Sequence, residues 1–187
     1  MLKEKEINQS NIYNNKIITF IGMMGTGKSK FGRLIAKNLN FTFYDVDLLI
    51  ENKLNNTIKN IFQENGENFF RKTEESTIKE LIFNISQSNQ SSVISLGGGA
   101  FDNINTRTLL LEKSHVIWLN TPVEVLVNRV GDGSKRPMIR GDVKKSISEL
   151  LKKRIKYYSL SHDQLNTNKL NQNQIIEKIT KIISNEN

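Results

Sequence analysis

The residues from Gly22 to Ser29, Gly-Met-Met-Gly-Thr-Gly-Lys-Ser, fill every position of the pattern G-x-x-x-x-G-K-[ST]. Such a segment does its chemistry largely with the backbone. Glycines let the chain turn tightly, so successive N–H groups around Gly25, Thr26 and Gly27 point at phosphate oxygens, and a helix starting beyond them adds its dipole. Lys28 then spans the β- and γ-phosphates of a nucleoside triphosphate, and the Ser29 hydroxyl ligates Mg²⁺. The bland alternative is a chance glycine-rich turn before a helix. Against it stands the context: the buried-strand pattern Lys16-Ile-Ile-Thr-Phe-Ile21 precedes the segment and a helical pattern from about Lys28 to Asn38 follows it. ATP or GTP binding is therefore expected.

Ligands in open α/β sheets lie beyond the carboxyl ends of the strands, so the ends of the other strand-like runs should recognise the second substrate. Phe41 to Tyr44 ends in Asp45-Val-Asp47, and two carboxylates two residues apart at a strand end project to one side, here toward the glycine loop. One suits Mg²⁺, directly or through water; the other suits a substrate hydroxyl. Ser92 to Ser95 ends in Leu96-Gly97-Gly98-Gly99. The acid that GTPases and most motor ATPases carry there is missing, and three glycines allow a substrate to approach the backbone closely.

Arginine adds a third signal. The chain holds 20 Lys and only 7 Arg, and the planar guanidinium recognises carboxylate or phosphate bidentately where an ammonium does not. Arg71, in Phe70-Arg-x-x-Glu74, and Arg154 are donors suited to a carboxylate. Arg71 also reads as a surface ion pair with Glu74 at i,i+3, and both readings hold if Glu74 orients Arg71. For Arg154 the alternative is one more solvated charge beside Lys152, Lys153 and Lys156.

These residues need a scaffold. At 187 residues with no cysteine and two histidines, the chain is expected to form one domain over 16–187 without disulfides, thiol nucleophiles or Cys-based metal sites. Residues 1–15 are polar and aperiodic and are expected to be a disordered extension. Strand patterns recur at His115 to Leu119 and weakly near Gln164 to Thr167. Helical patterns cover 47–53, 57–64, 69–84, 106–113, 122–130, 144–158 and 172–183. Strands alternating with helices imply an α/β fold, a parallel sheet covered on both faces. No spanning or secretory segment is visible, which points to a cytoplasmic protein. The net charge of +8 has three readings: solvated Lys-rich helix faces, positive potential around a cleft for phosphorylated substrates, or nucleic-acid binding. No run of five or six like charges and no interleaving of aromatic with basic residues favours the last.

Taken together, Gly22 to Ser29, the Phe43-Tyr-Asp-Val-Asp47 run, Phe70-Arg71-x-x-Glu74, Gly97 to Gly99, Arg129, Arg136-Pro-Met138, and Arg154 with Tyr158 resemble the shikimate kinases in order and spacing over about residues 16–168. The resemblance implies a five-stranded parallel sheet with helices on both faces, as in the nucleoside-monophosphate-kinase-like P-loop enzymes. It implies Mg-dependent transfer of the ATP γ-phosphoryl group to the 3-hydroxyl of shikimate, in aromatic amino-acid synthesis. Carried over by position, Lys28, Asp47 and Arg136 are catalytic, and Asp47, Arg71, Gly98 and Arg154 hold shikimate. Ser29 and Asp45 serve one Mg²⁺. Gly25, Thr26, Gly27, Lys28, Ser29 and Lys30 meet the nucleotide, together with Arg136 on a mobile lid at about 131–142 and Arg129 near the adenine. A monomer working on shikimate and ATP, with no nucleic-acid or membrane partner, is expected. Lys30 stands where the family usually has Thr, so one phosphate contact changes character or is lost. Arg140 receives no role, and His115, His162 and Trp118 read as structural. The alternatives are another small-molecule kinase of this group, such as a gluconate kinase, and a basic nucleic-acid-binding ATPase.

Overall fold

The computed structural model describes residues 16–88, 90–134, 136–139 and 141–184. Five short runs form strands: β1 (Ile17–Ile21), β2 (Thr42–Asp45), β3 (Ser92–Ser95), β4 (His115–Asn120) and β5 (Asp163–Asn166). All pairings are parallel, in the order β2-β3-β1-β4-β5. The α/β fold expected from alternating strand and helix patterns is the fold observed. The chain leaves β1 outward to β2, returns to β3, and then crosses to the far side of β1. That reversal opens a crevice beyond the carboxyl ends of β1 and β3, where the glycine loop and the Gly97–Gly99 turn stand together.

Side chains of each strand alternate between two cores. Ile18 and Phe20 of β1 face one core with Val93, Ile117 and Leu119, closed by α1 (Lys28–Leu39) and α7 (Gln172–Ser184). Phe31 and Ile35, and Ile175, Ile179 and Ile183, recur at helical spacing and bury the inner stripes of those two helices. Ile17 and Ile21 face the other core with Ile94, Val116 and Trp118. That core is covered by α3 (Ile58–Ser88), α4 (Ile104–Lys113), α5 (Val123–Val130) and α6 (Val143–Tyr158). Thr19, the polar exception in β1, is buried and donates to Ser114 Oγ at 2.8 Å, so its hydroxyl is satisfied.

The differences from the sequence reading are local. The helices expected over 57–64 and 69–84 join into α3, but Gly66 inside it has φ 80° and ψ 170°, so the axis breaks at the expected place. Pro122 does not start the first turn of α5; at φ −56°, ψ 145° it stands just ahead of it. The helix after β2, α2 (Val46–Leu54), begins one residue earlier than expected. Asp45 therefore ends the strand while Asp47 lies in the first helical turn, and a strand end carrying both acids is corrected to a strand–helix corner. A 3₁₀ turn over Ala100–Asp102 had no sequence signal. The expected extension over 1–15, and Arg140, lie outside the described residues. Among the described residues no helix is long and apolar enough to cross a membrane.

Candidate functional site

Gly22 leaves β1 with φ 137°, and a Cβ there would sit 2.6 Å from the Leu119 carbonyl oxygen, so only glycine lets the chain turn beside β4. Thr26 is buried and its hydroxyl donates to the Met23 carbonyl at 2.9 Å. The first bond of the α1 ladder runs from Phe31 N–H to the Gly27 carbonyl at 2.8 Å. The amides of Lys28, Ser29 and Lys30 thus precede the ladder and face outward at the positive end of the helix dipole. Lys28 is buried, and its ammonium donates to the carbonyls of Gly22 and Met23, both at 2.9 Å. Burial lowers its pKa to about 8, with Asp47 and Asp45 opposing the shift and Arg136 and Arg154 adding to it. Ser29 Oγ lies 3.3 Å from Ser95 Oγ. Lys30 is exposed, its ammonium 5.8 Å from the Phe31 ring centroid. Arg129 donates to the Gly25 carbonyl at 3.1 Å, which fastens α5 to the loop.

Beside this loop lies a pocket open to solvent, whose polar wall is made by Asp47, Arg71, Glu74, Arg136 and Arg154. Phe62 and Phe70, with ring centroids 4.7 Å apart, add an apolar wall. Burial raises the Asp47 carboxyl above the ordinary carboxylate range, Asp45 raises it further, and Lys28 and Arg136 oppose the change. Arg71 donates to Glu74 at 2.6 Å and to Glu67 at 3.3 Å. Glu74 is 2% exposed, and burial pushes it up to about 7 against the pull of Arg71. Arg154, 3% exposed, donates through Nε to Asp102 at 3.0 Å, and its Nη1 lies 3.8 Å from Met23 Sδ. The Tyr158 hydroxyl donates to the Gly98 carbonyl.

The three glycines have a specific structural reason. A Cβ on Gly97 would sit 2.7 Å from Glu74 Oε1 and 2.8 Å from Asp47 Oδ1. One on Gly99 would sit 2.6 Å from Arg71 Nη2 and 2.8 Å from Arg154 Nη2. The space expected for a substrate against the backbone is thus partly filled by the protein's own charged groups. The same contacts bring the two guanidiniums together at Gly99 and the two carboxylates together at Gly97.

The structure therefore gathers Lys28, Asp47, Arg71, Gly98, Arg136 and Arg154 around one crevice, with Ser29 and Asp45 on its rim. Arg129 stands at the loop, and the exposed Lys30 side chain lies by the Phe31 ring. Asp102 and Met23 were not singled out from sequence, and Tyr158 was quoted without a role. An aspartate three residues after a glycine triplet carries no motif of its own; only the fold shows that it meets Arg154. His115 and His162 stack at 5.1 Å, and His115 meets Asp163 at 2.9 Å, at the opposite end of β4 from the crevice. Chemically, the arrangement offers backbone amides and an ammonium for phosphates, a fork of guanidiniums for a small carboxylate, and a buried carboxylate between them for a hydroxyl.

Comparison with known proteins agrees with this chemistry. The shikimate kinase family model matches residues 24–184. The shikimate kinase of Zymomonas mobilis is 40% identical over 147 residues, 78% of this chain and 81% of that protein. That of Sulfurihydrogenibium sp. is 34% identical over 168 residues, 89% of this chain and 98% of that protein. The solved structure of shikimate kinase from Acinetobacter baumannii in complex with shikimate superposes with a TM-score of 0.86 at 31% identity, covering 95% of this chain and 98% of that one.

Proposed function

The chain belongs to the shikimate kinase family and transfers a phosphoryl group from ATP to shikimate; on that premise we propose a division of labour among its residues. Arg71 and Arg154 grip the shikimate carboxylate, the Gly98 backbone supports the ring, and Asp47 accepts a hydrogen bond from the 3-hydroxyl. The observation that carries this reading is the meeting of both guanidiniums at Gly99 while Asp47 stands at Gly97, close enough to Lys28 for each to shift the other's ionisation. An acid and its hydroxyl held there lie next to the phosphate end of the glycine loop.

The amides of Gly25, Thr26, Gly27, Lys28, Ser29 and Lys30 cradle the ATP phosphates. Arg129, tied to Gly25, borders the adenine side. Asp47, with a carboxyl made more basic by burial, orients the attacking hydroxyl and takes its proton as the oxygen bonds to the γ-phosphorus; the bond from that phosphorus to the β–γ bridging oxygen breaks, and ADP leaves with the electron pair. Lys28 and Arg136 neutralise the charge that spreads over the transferring group in a loose transition state. Residues 131–142, with Pro137 and Met138 already against the pocket, act as a lid that excludes water and so prevents ATP hydrolysis.

Mg²⁺ fits the residues present. It takes only one or two protein oxygens and fills its shell with phosphate oxygens and water; Ser29 and Asp45 line the same open side of the crevice and offer that many. When bound, one ion supplies further charge neutralisation at the phosphates. A cytoplasmic monomer completes the reading.

An acceptor panel tests it. With Mg-ATP, ADP release should be stimulated by shikimate and not by gluconate, a nucleoside monophosphate or nucleic acid. Stimulation by another acceptor while shikimate stays inert would overturn it.

A further inference from the structure

Asp102 lies outside the motif that carries the family resemblance, yet it makes the polar contact that aims a substrate arginine. Its Oδ2 accepts from Arg154 Nε at 3.0 Å, while its Oδ1 is buried without a partner among the described residues. The residue sits at the end of the 3₁₀ turn that grows directly out of the glycine triplet: Ala100 N–H donates to the Gly97 carbonyl at 3.2 Å and Asp102 N–H to the Gly99 carbonyl at 3.1 Å. Asp102 is thus fixed relative to the glycines against which Arg154 lies.

A second arginine fixes the turn from outside. Arg107 Nη1 donates to the carbonyls of Phe101 and Asp102, both at 3.0 Å, and its guanidinium stacks 4.7 Å from the Tyr157 ring centroid. Tyr157 belongs to α6, the helix that bears Arg154. The turn and the helix are therefore joined at two points, Asp102 with Arg154 and Arg107 with Tyr157.

The physical need is clear from the charges. Arg71 and Arg154 place Nη atoms within 3 Å of one point beside Gly99, and two guanidiniums so close repel each other and retain rotamer freedom unless each is anchored. Arg71 has Glu74 and Glu67. Arg154 has Asp102. Asp102 takes Nε, and the Nη edge of the fork, which touches the Met23 sulfur at 3.8 Å and faces Gly98 and Gly99, is presented to another carboxylate.

We propose that Asp102 is a positioning residue for acid recognition, holding Arg154 by its Nε so that the Nη edge is presented to the carboxylate of the acceptor. This rests on the reading of Arg154 as a carboxylate ligand.

The test is shikimate affinity by titration calorimetry, with kcat and the KM for ATP, in the parent enzyme and in Asp102→Ala, Asp102→Asn, Arg154→Ala and the double alanine variant. Asp102→Ala should weaken shikimate binding about tenfold, the effect of one charge-assisted hydrogen bond, and leave the KM for ATP unchanged. Asp102→Asn, which keeps an acceptor oxygen, should restore most of the loss. In the Arg154→Ala background, removing Asp102 should change affinity no further, because its influence passes through Arg154. If the alanine variant does not fold, Asp102→Ser carries the same test, its shorter side chain leaving Nε without an acceptor. Unchanged shikimate affinity, equal losses for both substrates, or additive losses in the double variant would each overturn the positioning role. Shikimate affinity left unchanged by Arg154→Ala would instead overturn the reading on which it rests.

Discussion

The loop from Gly22 to Ser29 collects its donors from consecutive residues. The adjoining pocket draws Asp47 from α2, Arg71 and Glu74 from α3, three glycines from the turn after β3, and Arg154 from α6. The loop works with amides, whose direction is set by backbone turn and helix start, so it needs little from its side chains beyond Lys28 and Ser29. The pocket works with charged side chains taken out of water: Glu74 is 2% and Arg154 3% exposed. Such groups are tolerable only when each has a partner, because an uncompensated buried charge is far more costly than a paired one. Damage to the loop should accordingly stop chemistry with the acid still bound, and damage to the pocket should weaken acid binding with ATP still held.

The sharpest way to break that separation is Lys28→Ala. It should lower kcat by about 10³-fold, the scale of a lost preorganised charge at the transition state, while circular dichroism shows a folded chain and calorimetry shows shikimate still bound. Normal turnover would mean the loop is not where the transferred charge is stabilised. Arg136→Ala comes next, at about 10²-fold in kcat. Arg136 lines the acid pocket and also acts electrostatically on Lys28 and Asp47, so it belongs to both regions. Its loss should reduce kcat far more than it raises the KM for shikimate. A change in that KM alone would return Arg136 to the pocket.

Gly99→Ala addresses the pocket from its backbone. The new Cβ would meet Arg71 Nη2 at 2.6 Å and Arg154 Nη2 at 2.8 Å, so both guanidiniums must move apart. Overpacking of this kind costs about 1–3 kcal/mol, and shikimate affinity should fall about tenfold or more. The KM for ATP should not change, since no part of the loop is touched. An equal rise in both constants would show that the two regions are not separable.

How legible each region was in the sequence follows from the same contrast. The loop is a contiguous string in a strand–turn–helix context, and its physics is local, so Gly22 to Ser29 could be placed at once; the alternation of strands with helices likewise carried the fold class. Phe70-Arg71-x-x-Glu74 and Gly97 to Gly99 were visible as unusual local strings, but the reason for the triplet was not. The glycines make room for side chains arriving from other elements, and those contacts do not exist until the chain is folded. Asp102 and Met23 were silent for that reason. Asp47 was recognised as a site residue but assigned to a strand end, because nothing in Asp-Val-Asp says where the strand hands over to a helix.

The smallest effect tests whether burial outweighs pairing inside the pocket, and it concerns Glu74. Burial raises its pKa from the usual 4.5 to about 7 although Arg71 pulls the other way. Between those two values the folded chain keeps a proton that the unfolded chain has released. Stability must then fall as pH rises across that window and level off above it, because unfolding releases the proton. Glu74→Gln has nothing to titrate there and keeps a similar volume, so it should lack that fall. Urea denaturation at several pH values from about 5 to about 8 should show the glutamine variant gaining on the parent as pH rises, by a margin on the order of 1 kcal/mol. If the gap between variant and parent instead stays constant from about pH 5 to about 8, Glu74 is ionised in both states across that window, and the ion pair with Arg71 is the stronger influence. The acid pocket would then be held together by pairing that more than compensates burial, and the contrast with the backbone-built loop would be one of cooperation between charges rather than of tolerated cost.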